Sequence, residues 1–326
     1  DRPGRACAIP GPVMEALQTL VGEDLARVAP PPGRAMAQAL ASRIGGAAAV
    51  LFYGSVLRTG DLDGVMDFYV LTHGPRPGWR GLAGRVLWPD VSYHELELDG
   101  RILRAKVATM TLAQFRSAVT GRRIDTTIWT RFVQPSALVW ASDADTLRDI
   151  SRAVSEAACA AARFAAALGP SEGPALDYWR ALFRQTYAAE FRVEARGREN
   201  DILGVDPGRY ERLLLAAWRA QGLAFEETPG DGTVRPVLDD HERGRILAAW
   251  RLRRALGKPL NLARLAKAAF TFEGAARYAA WKIERHTGLR VPLTPWREKH
   301  PILASPEVFW RLWKARRAQT AGRDRA

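Results

Sequence analysis

The chain has 326 residues, of which 47% are hydrophobic and 25% charged, a composition typical of soluble globular proteins rather than of disordered or fibrous ones. The longest alanine-rich stretch, 157–168, is interrupted by Arg163 and is too short to span a bilayer, while two cysteines predict no disulfide framework and suit a reducing compartment. The net charge is +13, and residues 241–326 hold 20 Lys and Arg against 6 Asp and Glu. This basic block favours an anionic partner, either nucleic acid or acidic lipid.

The first half of the chain predicts a sheet with a few helices. Helical spacing, short apolar runs bounded by Gly or Asp, and the turn Asp99-Gly100 locate the elements. We predict helices over 13–28 and 34–44, strands over 47–53 and 65–71, a loop over 76–90, a hairpin of 91–98 and 101–110, a helix over 111–119 and a strand over 132–141.

The second half predicts helices almost throughout. They cover 145–168, 175–196, 210–222 and 238–256, with two more inside 262–286 and a last one that begins at 305–307 after a Pro-containing tail. The expected fold class is α+β. A nucleotidyltransferase-type mixed sheet domain (1–145) precedes a helical domain (146–290) and a basic tail with an amphipathic helix (291–326).

One stretch, 47–72, carries the clearest chemical signal. Its first strand ends at Gly54-Ser55, and its second strand contains Asp67 among apolar residues. A buried aspartate is costly unless it is paired or holds a metal ion. A Gly-Ser turn lets backbone N–H groups and a hydroxyl approach phosphates, and a nearby acid can hold Mg²⁺ against the same phosphates. This layout is typical of nucleotidyltransferases; the alternative is a tight turn followed by a structurally satisfied aspartate.

The usual form of such a site has two acids, one residue apart, whereas this chain has Tyr69 at the second position. A single acid after a Gly-Ser turn, in Met66-Asp67-Phe68, resembles the mitochondrial-type phosphatidate cytidylyltransferases, the translocator assembly and maintenance family. Further similar segments follow in the same order over about residues 40–285. They are Lys106-Val107-Ala108, Arg131 to Pro135 with Gln134 in place of a lysine, Tyr187 to Arg192 with Glu190 in place of an aspartate, Lys267 to Thr271, and Arg277-Tyr278 with Lys282.

The resemblance implies that CTP and phosphatidate give CDP-diacylglycerol and pyrophosphate, with Mg²⁺ as cofactor. It implies catalytic roles for Asp67 and Lys106, with Asp67 as the metal ligand and Glu95 or Glu97 as a further one. Nucleotide contacts would come from Tyr53, Gly54, Ser55 and Arg131, and phosphate or substrate contacts from Arg192, Lys267 and Lys282. The expected location is peripheral, on the cytoplasmic face of an inner membrane.

Two surface features are also predicted. Glu190 and Glu194 lie near several arginines and favour a surface ion network. The final helix carries an aromatic stripe and positive charge, which suits an anionic membrane surface; its expected membrane residues are Phe309, Trp310, Trp313 and Lys314. The alternative is a terminal helix that packs on the protein.

Two other functions fit the same residues. The first is a nucleotidyltransferase that acts on RNA or another soluble acceptor, with the basic quarter holding the phosphate backbone. The second is a catalytically inactive adaptor with the same fold, which Tyr69 favours. No zinc module or aromatic RNA-binding signature is visible, so nucleic acid is the less favoured partner.

Overall fold

The computed structural model of the protein describes residues 12–78, 81, 84, 86–190, 197–228, 230, 232–288 and 292–299. Its first half alternates helices and strands. In chain order these are α1 (Pro12–Leu25), α2 (Pro31–Arg43), β1 (Ala47–Tyr53), α3 (Ser55–Thr59), β2 (Met66–Thr72), β3 (Asp90–Leu98), β4 (Arg101–Thr111), α4 (Leu112–Val119), α5 (Thr127–Val133) and β5 (Ser136–Ala141).

The second half is mainly helical, with three very short strands. It contains α6 (Ala144–Leu168), β6 (Gly173–Pro174), α7 (Ala175–Ala189), α8 (Arg198–Leu203), α9 (Pro207–Ala220), β7 (Phe225–Glu227), β8 (Thr233–Pro236), α10 (Asp240–Thr271), α11 (Ala275–Thr287) and α12 (Pro295–Lys299). The three short strands pair in the order β6-β8-β7, an element that the sequence pattern did not predict.

Side-chain caps determine where several helices begin. Thr111 and Gln114 form a capping box at α4, in which the Thr111 hydroxyl accepts from the Gln114 N–H at 3.1 Å. At α6 the Asp143 carboxylate accepts from the Thr146 N–H at 2.7 Å. Each bond satisfies a backbone donor that the helix leaves unpaired in its first turn.

Five strands of the described chain form one mixed sheet in the order β3-β4-β2-β1-β5. β1 pairs antiparallel with both β2 and β5, β4 pairs antiparallel with β3, and β2 runs parallel to β4. The prediction that the two strands of 47–72 are neighbours is confirmed, as is the hairpin around Asp99-Gly100. The parallel β2–β4 pair requires a crossover, which the segment from His73 to Gly100 provides.

The two faces of the sheet belong to two different hydrophobic clusters. Leu51, Tyr69 and Leu71 face a large cluster that continues into α1, α4, α5, α6, α7 and α9. Phe52 and Phe68 lie on the opposite face in a smaller cluster with α2, and their rings stack at 4.7 Å. Burying each such side chain contributes about 1.5–3 kcal/mol, so both faces of β1 and β2 are strongly specified.

Two predicted elements are corrected. The strand expected over 132–141 begins only at Ser136, because 127–133 forms α5, in which Ile128, Trp129 and Phe132 are buried against α6 and α4. Burial in the helical cluster outweighs the strand preference of these β-branched and aromatic residues.

The helix expected to end at 256 instead continues to Thr271 through Pro259. Proline removes the bond to the carbonyl of Ala255, and both residues are exposed, so water can satisfy that carbonyl. The predicted break near 272–274 is confirmed between α10 and α11.

The α+β class is confirmed: a mixed sheet comes first and a helical region follows. The division into 1–145, 146–290 and 291–326 stays a prediction, and the larger hydrophobic cluster extends across its first boundary. None of the helices in the described ranges combines the length and apolar character needed to cross a bilayer.

Candidate functional site

Tyr53, Asp67 and Lys106 lie side by side across three strands. Tyr53 is the register partner of Asp67 in the β1–β2 pair, and Lys106 is its partner in the β2–β4 pair. Directly opposed residues project from the same face of a sheet, which here is the face that also carries Tyr69. Asp67 is half-buried and Lys106 is exposed, whereas Tyr69 is fully buried. We call these three residues, Tyr53, Asp67 and Lys106, the row. It lies at the edge of the area where helices pack on this face of the sheet.

Gly54 brings the turn after β1 directly against the Asp67 carboxylate. Its φ of +92° and ψ of −165° are in a region that only glycine adopts readily. A Cβ at this position would lie 2.6 Å from Asp67 Oδ2 and 3.2 Å from Asp67 Cβ. The contact requires a glycine for two independent reasons, conformation and space. Ser55 follows as the first residue of α3 and is exposed.

Three cations act on Asp67. Burial raises the pKa of Asp67, and the charges of Lys106, Arg131 and Arg58 lower it by less than burial raises it. The three cations thus offset the partial burial of the carboxylate only incompletely. An additional cation beside Asp67 would therefore stabilise its ionised form further. The three cations also suit an anionic ligand.

Arg131 is held beside Asp67 by two tyrosines. Its Nη1 donates to the Tyr69 hydroxyl at 3.0 Å, and its guanidinium carbon lies 5.3 Å from the centre of the Tyr53 ring. Burial acts to lower the pKa of Arg131, but nearby groups outweigh burial and raise it above its ordinary value. These groups are Tyr53, Tyr69, Asp67 and Glu190. Arg131 therefore stays charged and oriented, and Tyr69 occupies the usual position of the second acid as its acceptor.

Glu190 is a buried carboxylate near Arg131 that the sequence pattern misplaced. It follows directly after α7, is 5% exposed, and accepts from the Thr126 hydroxyl at 2.6 Å. The predicted surface ion network is therefore wrong for Glu190, while Glu194 lies outside the described residues. The signal that could have identified it is its alignment with an acid in the resembling family. From the side of the helical region, its negative charge helps to raise the pKa of Arg131.

Arg58 is a second guanidinium that the sequence analysis missed. It lies in α3, one turn after Ser55, and its Nη1 donates to Gln134 Oε1 at 3.3 Å. Burial lowers the pKa of Arg58, and Tyr210, Arg198 and Asp67 also act on it. Gln134 thus positions the Arg58 guanidinium. The missed signal was the spacing of three from Ser55, which matters only once α3 is known to be a helix.

Glu95 is not brought to Asp67. Its neighbour Tyr93 is the register partner of Lys106, so Glu95 lies two strands away and two residues along β3, roughly 10 Å sideways and roughly 7 Å along. Its carboxylate accepts from the Tyr93 hydroxyl at 2.9 Å and pairs with Arg104 at 3.8 Å. This corrects the expectation that Glu95, or the more distant Glu97, shares a metal ion with Asp67.

Lys267 is engaged in the structural core. Its ammonium forms an ion pair with Asp90 and donates to the carbonyls of Leu87 and Pro89, the latter at 3.4 Å. Both charged side chains are largely buried, at 7% and 14% exposure. This pairing corrects the expected substrate contact, because Lys267 has its donors directed at the protein.

Lys282 lies on the exposed side of α11, near the continuation of the row on β3. Its amine is 5.6 Å from the centre of the Tyr278 ring, which in turn lies 5.4 Å from the Tyr93 ring. Its predicted substrate role stays a prediction. Arg192 and the four expected membrane residues, Phe309, Trp310, Trp313 and Lys314, lie outside the described residues.

Asp67 is the carboxylate available for a metal ion at this row. Within the described ranges no three His, Cys, Asp or Glu side chains cluster as a metal site would require. Mg²⁺ is commonly held by one or two carboxylates together with waters and substrate phosphates. One carboxylate whose burial is only partly offset, beside three cations that could contact phosphate, fits that pattern.

A separate cleft of about 220 Å³ lies between α1 and α9, away from the row. Arg209 and Asp24 form a buried pair there, with Nε to Oδ2 at 2.6 Å. Its lining has three arginines and three acids, so it has no charge preference. The cleft therefore does not compete with the row as an anion site.

No family model matches the chain, and no curated protein matches it. Among solved structures it is similar to a nucleotidyltransferase-like protein from Exiguobacterium sibiricum 255-15, with 12% identity over 81% of this chain and 82% of that one, and a TM-score of 0.24. At that identity and TM-score the likeness carries no argument about activity.

Proposed function

We propose that the chain is a nucleotidyltransferase whose site is built around Asp67. The observation that carries the proposal is the contact of the Asp67 carboxylate with the Gly54 turn, surrounded by Lys106, Arg131 and Arg58. Backbone at a glycine turn can approach phosphate closely, and three cations offset the charge of a triphosphate.

The residues around Asp67 would each bind a different part of the nucleotide. Arg131, fixed by Tyr69, and Arg58, fixed by Gln134, present guanidinium groups that suit phosphate oxygens. Lys106 adds a charge from the exposed strand position. Asp67 would hold Mg²⁺ together with phosphate oxygens, and the ion would neutralise charge that develops on the leaving pyrophosphate.

The proposed reaction is transfer of a cytidylyl group from CTP to phosphatidate. A phosphate oxygen of the acceptor forms a new bond to the α-phosphorus, and the bond from that phosphorus to the bridging oxygen breaks as pyrophosphate leaves with the electron pair. A phosphate monoester is largely ionised near neutral pH, so the acceptor needs no strong general base. Positioning and charge neutralisation supply the catalysis, which accords with Tyr69 in place of a second acid.

CTP, phosphatidate and peripheral attachment to the inner membrane, on its cytoplasmic face, rest on the resemblance to the phosphatidate cytidylyltransferases. The similar segments occur in the same order along this chain, from Gly54-Ser55 to Lys282, which supports them. The excess of cations in residues 241–326 supports an anionic acceptor surface.

One observation favours an inactive adaptor as the second candidate. Tyr69 fills the second-acid position, is fully buried and binds Arg131. A chain that had lost catalysis would tolerate such a replacement, whereas the single acid accords with activity only if Asp67 suffices.

The test is turnover by the full chain with Mg²⁺, labelled CTP and vesicles that contain phosphatidate. We expect labelled CDP-diacylglycerol, and we expect Asp67→Ala to abolish it while leaving the fold intact by circular dichroism. Asp201→Ala is the matched control, because Asp201 is an exposed carboxylate on α8, outside the row.

The outcomes separate the candidates. Labelled RNA without labelled lipid would replace phosphatidate by a nucleic-acid acceptor. If no product forms with any nucleotide or acceptor, and wild type and Asp67→Ala bind the vesicles equally, the adaptor is favoured. Equal loss in the Asp67 and Asp201 variants would remove Asp67 from the proposed role.

A further inference from the structure

Three cationic residues of α10, Arg253, Arg264 and Lys267, are directed inward. Arg253 donates to the carbonyls of Gly121 and Arg123, the latter at 2.9 Å, and Arg264 forms an ion pair with Asp125. Lys267 pairs with a second buried aspartate of the core. Surface helices ordinarily direct such residues to solvent and their apolar residues to the core, so the inward side of α10 is unusually charged between Arg253 and Lys267.

Part of the solvent-exposed side of α10 is apolar. We define the outer stripe as Leu252, Leu256, Leu262 and Phe270, which helical spacing places within about a third of the circumference of α10. Their exposed fractions are 52%, 39%, 61% and 74%, so all four are in contact with solvent. The stripe extends over 19 residues, about 28 Å of helix. The exposed residues between them that face the same side are Ala255, Pro259, Ala263 and Ala266.

Positive charge borders one side of this stripe. Arg251, Arg254 and Lys258 are exposed within the same turns, and we call these three the basic rim. After Glu242 no acidic residue follows in α10. An apolar stripe of this length on a monomer marks an interaction surface, and the rim restricts its partner to one that is anionic.

The outer stripe and the basic rim together indicate which kind of partner this surface binds. A nucleic-acid backbone would engage the rim but leave the leucines and Phe270 in water. The chain's own segment 301–326 is basic, with Arg311, Lys314 and Arg316 among its cations, so it would meet the rim with like charge. The surface of an anionic bilayer accepts apolar side chains at the depth of its headgroups and attracts cations at the same time.

We propose that the outer stripe and basic rim of α10 form a docking surface for an anionic membrane. The proposal deepens the proposed function, since it rests on an acceptor that resides in such a membrane. It also differs from the sequence-based expectation, which placed membrane contact at Phe309 to Lys314 in the tail. The inward ion pairs of Arg264 and Lys267 hold α10 to the body of the protein, so docking would orient the whole chain.

The experiment measures sedimentation of the full chain with vesicles in the absence of nucleotide. Vesicles of phosphatidylcholine with phosphatidylglycerol are compared with phosphatidylcholine alone. The stripe variant is Leu252→Gln/Leu262→Gln/Phe270→Gln, and the rim variant is Arg251→Gln/Arg254→Gln/Lys258→Gln. The matched control is Leu147→Gln/Val205→Gln/Val237→Gln, which replaces apolar residues of similar exposure elsewhere.

We expect wild type and control to bind the anionic vesicles alike, and the stripe and rim variants to bind at least about tenfold more weakly. Added salt should weaken wild-type binding and leave the residual binding of the rim variant less affected. All substituted side chains are exposed, and thermal unfolding verifies that the variants fold.

Three results would overturn the proposal. One is absence of wild-type binding to the anionic vesicles. Another is stripe-variant binding equal to that of the control, with loss on deletion of 305–326, which would assign docking to the tail. The last is self-association of wild type that the stripe variant abolishes, which would assign the stripe to a second copy. Binding of CTP in solution is measured separately, so failure of docking and failure of the proposed transferase site are distinguishable.

Discussion

Gly54→Ala tests the contact on which the proposed site depends. The substitution adds one methyl group beside Asp67 and leaves every charge in place. Gly60→Ala is its matched control: Gly60 ends the same helix, α3, also with positive φ, at +72°, but a Cβ there meets nothing within 4 Å. The pair of variants separates backbone strain from displacement of Asp67.

The magnitudes follow from the geometry. Alanine in the conformation of Gly54 costs about 1–3 kcal/mol, and alanine in the left-handed conformation of Gly60 costs about 1–2 kcal/mol. Both are smaller than the roughly 5–15 kcal/mol that stabilises a typical domain, so both variants should fold. Only at Gly54 must the new Cβ, at 2.6 Å from Asp67 Oδ2, force an atom to move, by about 0.8 Å to reach ordinary contact. A misplacement of about 1 Å in an active site can reduce rate by about 100-fold.

The assay combines thermal unfolding with CTP-dependent product formation. We expect both variants to unfold at moderately lower temperature, Gly60→Ala to keep turnover within about threefold of wild type, and Gly54→Ala to lose about 100-fold. Similar turnover in the two variants would show that the position of Asp67 against the turn does not matter, and the reasoning would then be wrong.

Three further substitutions test other parts of the site. Asp67→Asn should lower turnover by at least about 100-fold. Because burial raises the pKa of Asp67, the folded protein binds the carboxyl proton more tightly than the unfolded chain does. Stability therefore falls as pH rises through the raised pKa. The Asn variant should unfold at a higher temperature than wild type at neutral pH, and a lower unfolding temperature would contradict this. Glu190→Gln should leave the fold intact and strengthen nucleotide binding by up to about tenfold, measured by titration, because the site loses a negative charge near Arg131 while Tyr69 still holds that guanidinium; unchanged affinity would limit Glu190 to packing, and weaker binding would show that it positions Arg131. Lys267→Met should destabilise the protein by about 3–5 kcal/mol in denaturant unfolding and leave turnover per folded molecule unchanged, with Asp90→Asn/Lys267→Met recovering stability; lost turnover at full stability would restore a substrate role.

Local pattern was sufficient for the strands that form the site. The apolar runs ending at Gly54 and beginning at Val65 are short and bounded by turn residues, so their adjacency followed from the sequence. This adjacency also predicted that Gly54 lies close to Asp67. Lys106 was reached through the resemblance, and its row with Asp67 follows from the parallel register of β2 and β4, which no local pattern specifies.

Long-range burial decided what the sequence missed. Glu190 was assigned to the surface from its helical spacing, yet its position after α7 places it beside Thr126, far away in sequence. Arg58 became visible only through α3, a five-residue helix that is too short to give a periodic signal. Lys267 matched a segment of the resembling family, but it forms an ion pair with Asp90. In each case the partner that determines the role lies more than 60 residues away or in an element without a pattern.

The row of Tyr53, Asp67 and Lys106 has a consequence for how the chain tolerates insertions and deletions. Side chains alternate between the two faces of a strand, so membership of the row depends on whether a residue occupies an odd or an even place in its strand. Extra residues between β2 and β3 leave this parity untouched, whatever their number. A single residue inserted within β4 before Lys106 would turn its ammonium towards Phe68 and α2, into an apolar cluster. Variation in length should therefore accumulate in the loops, and the strands should change only by substitution.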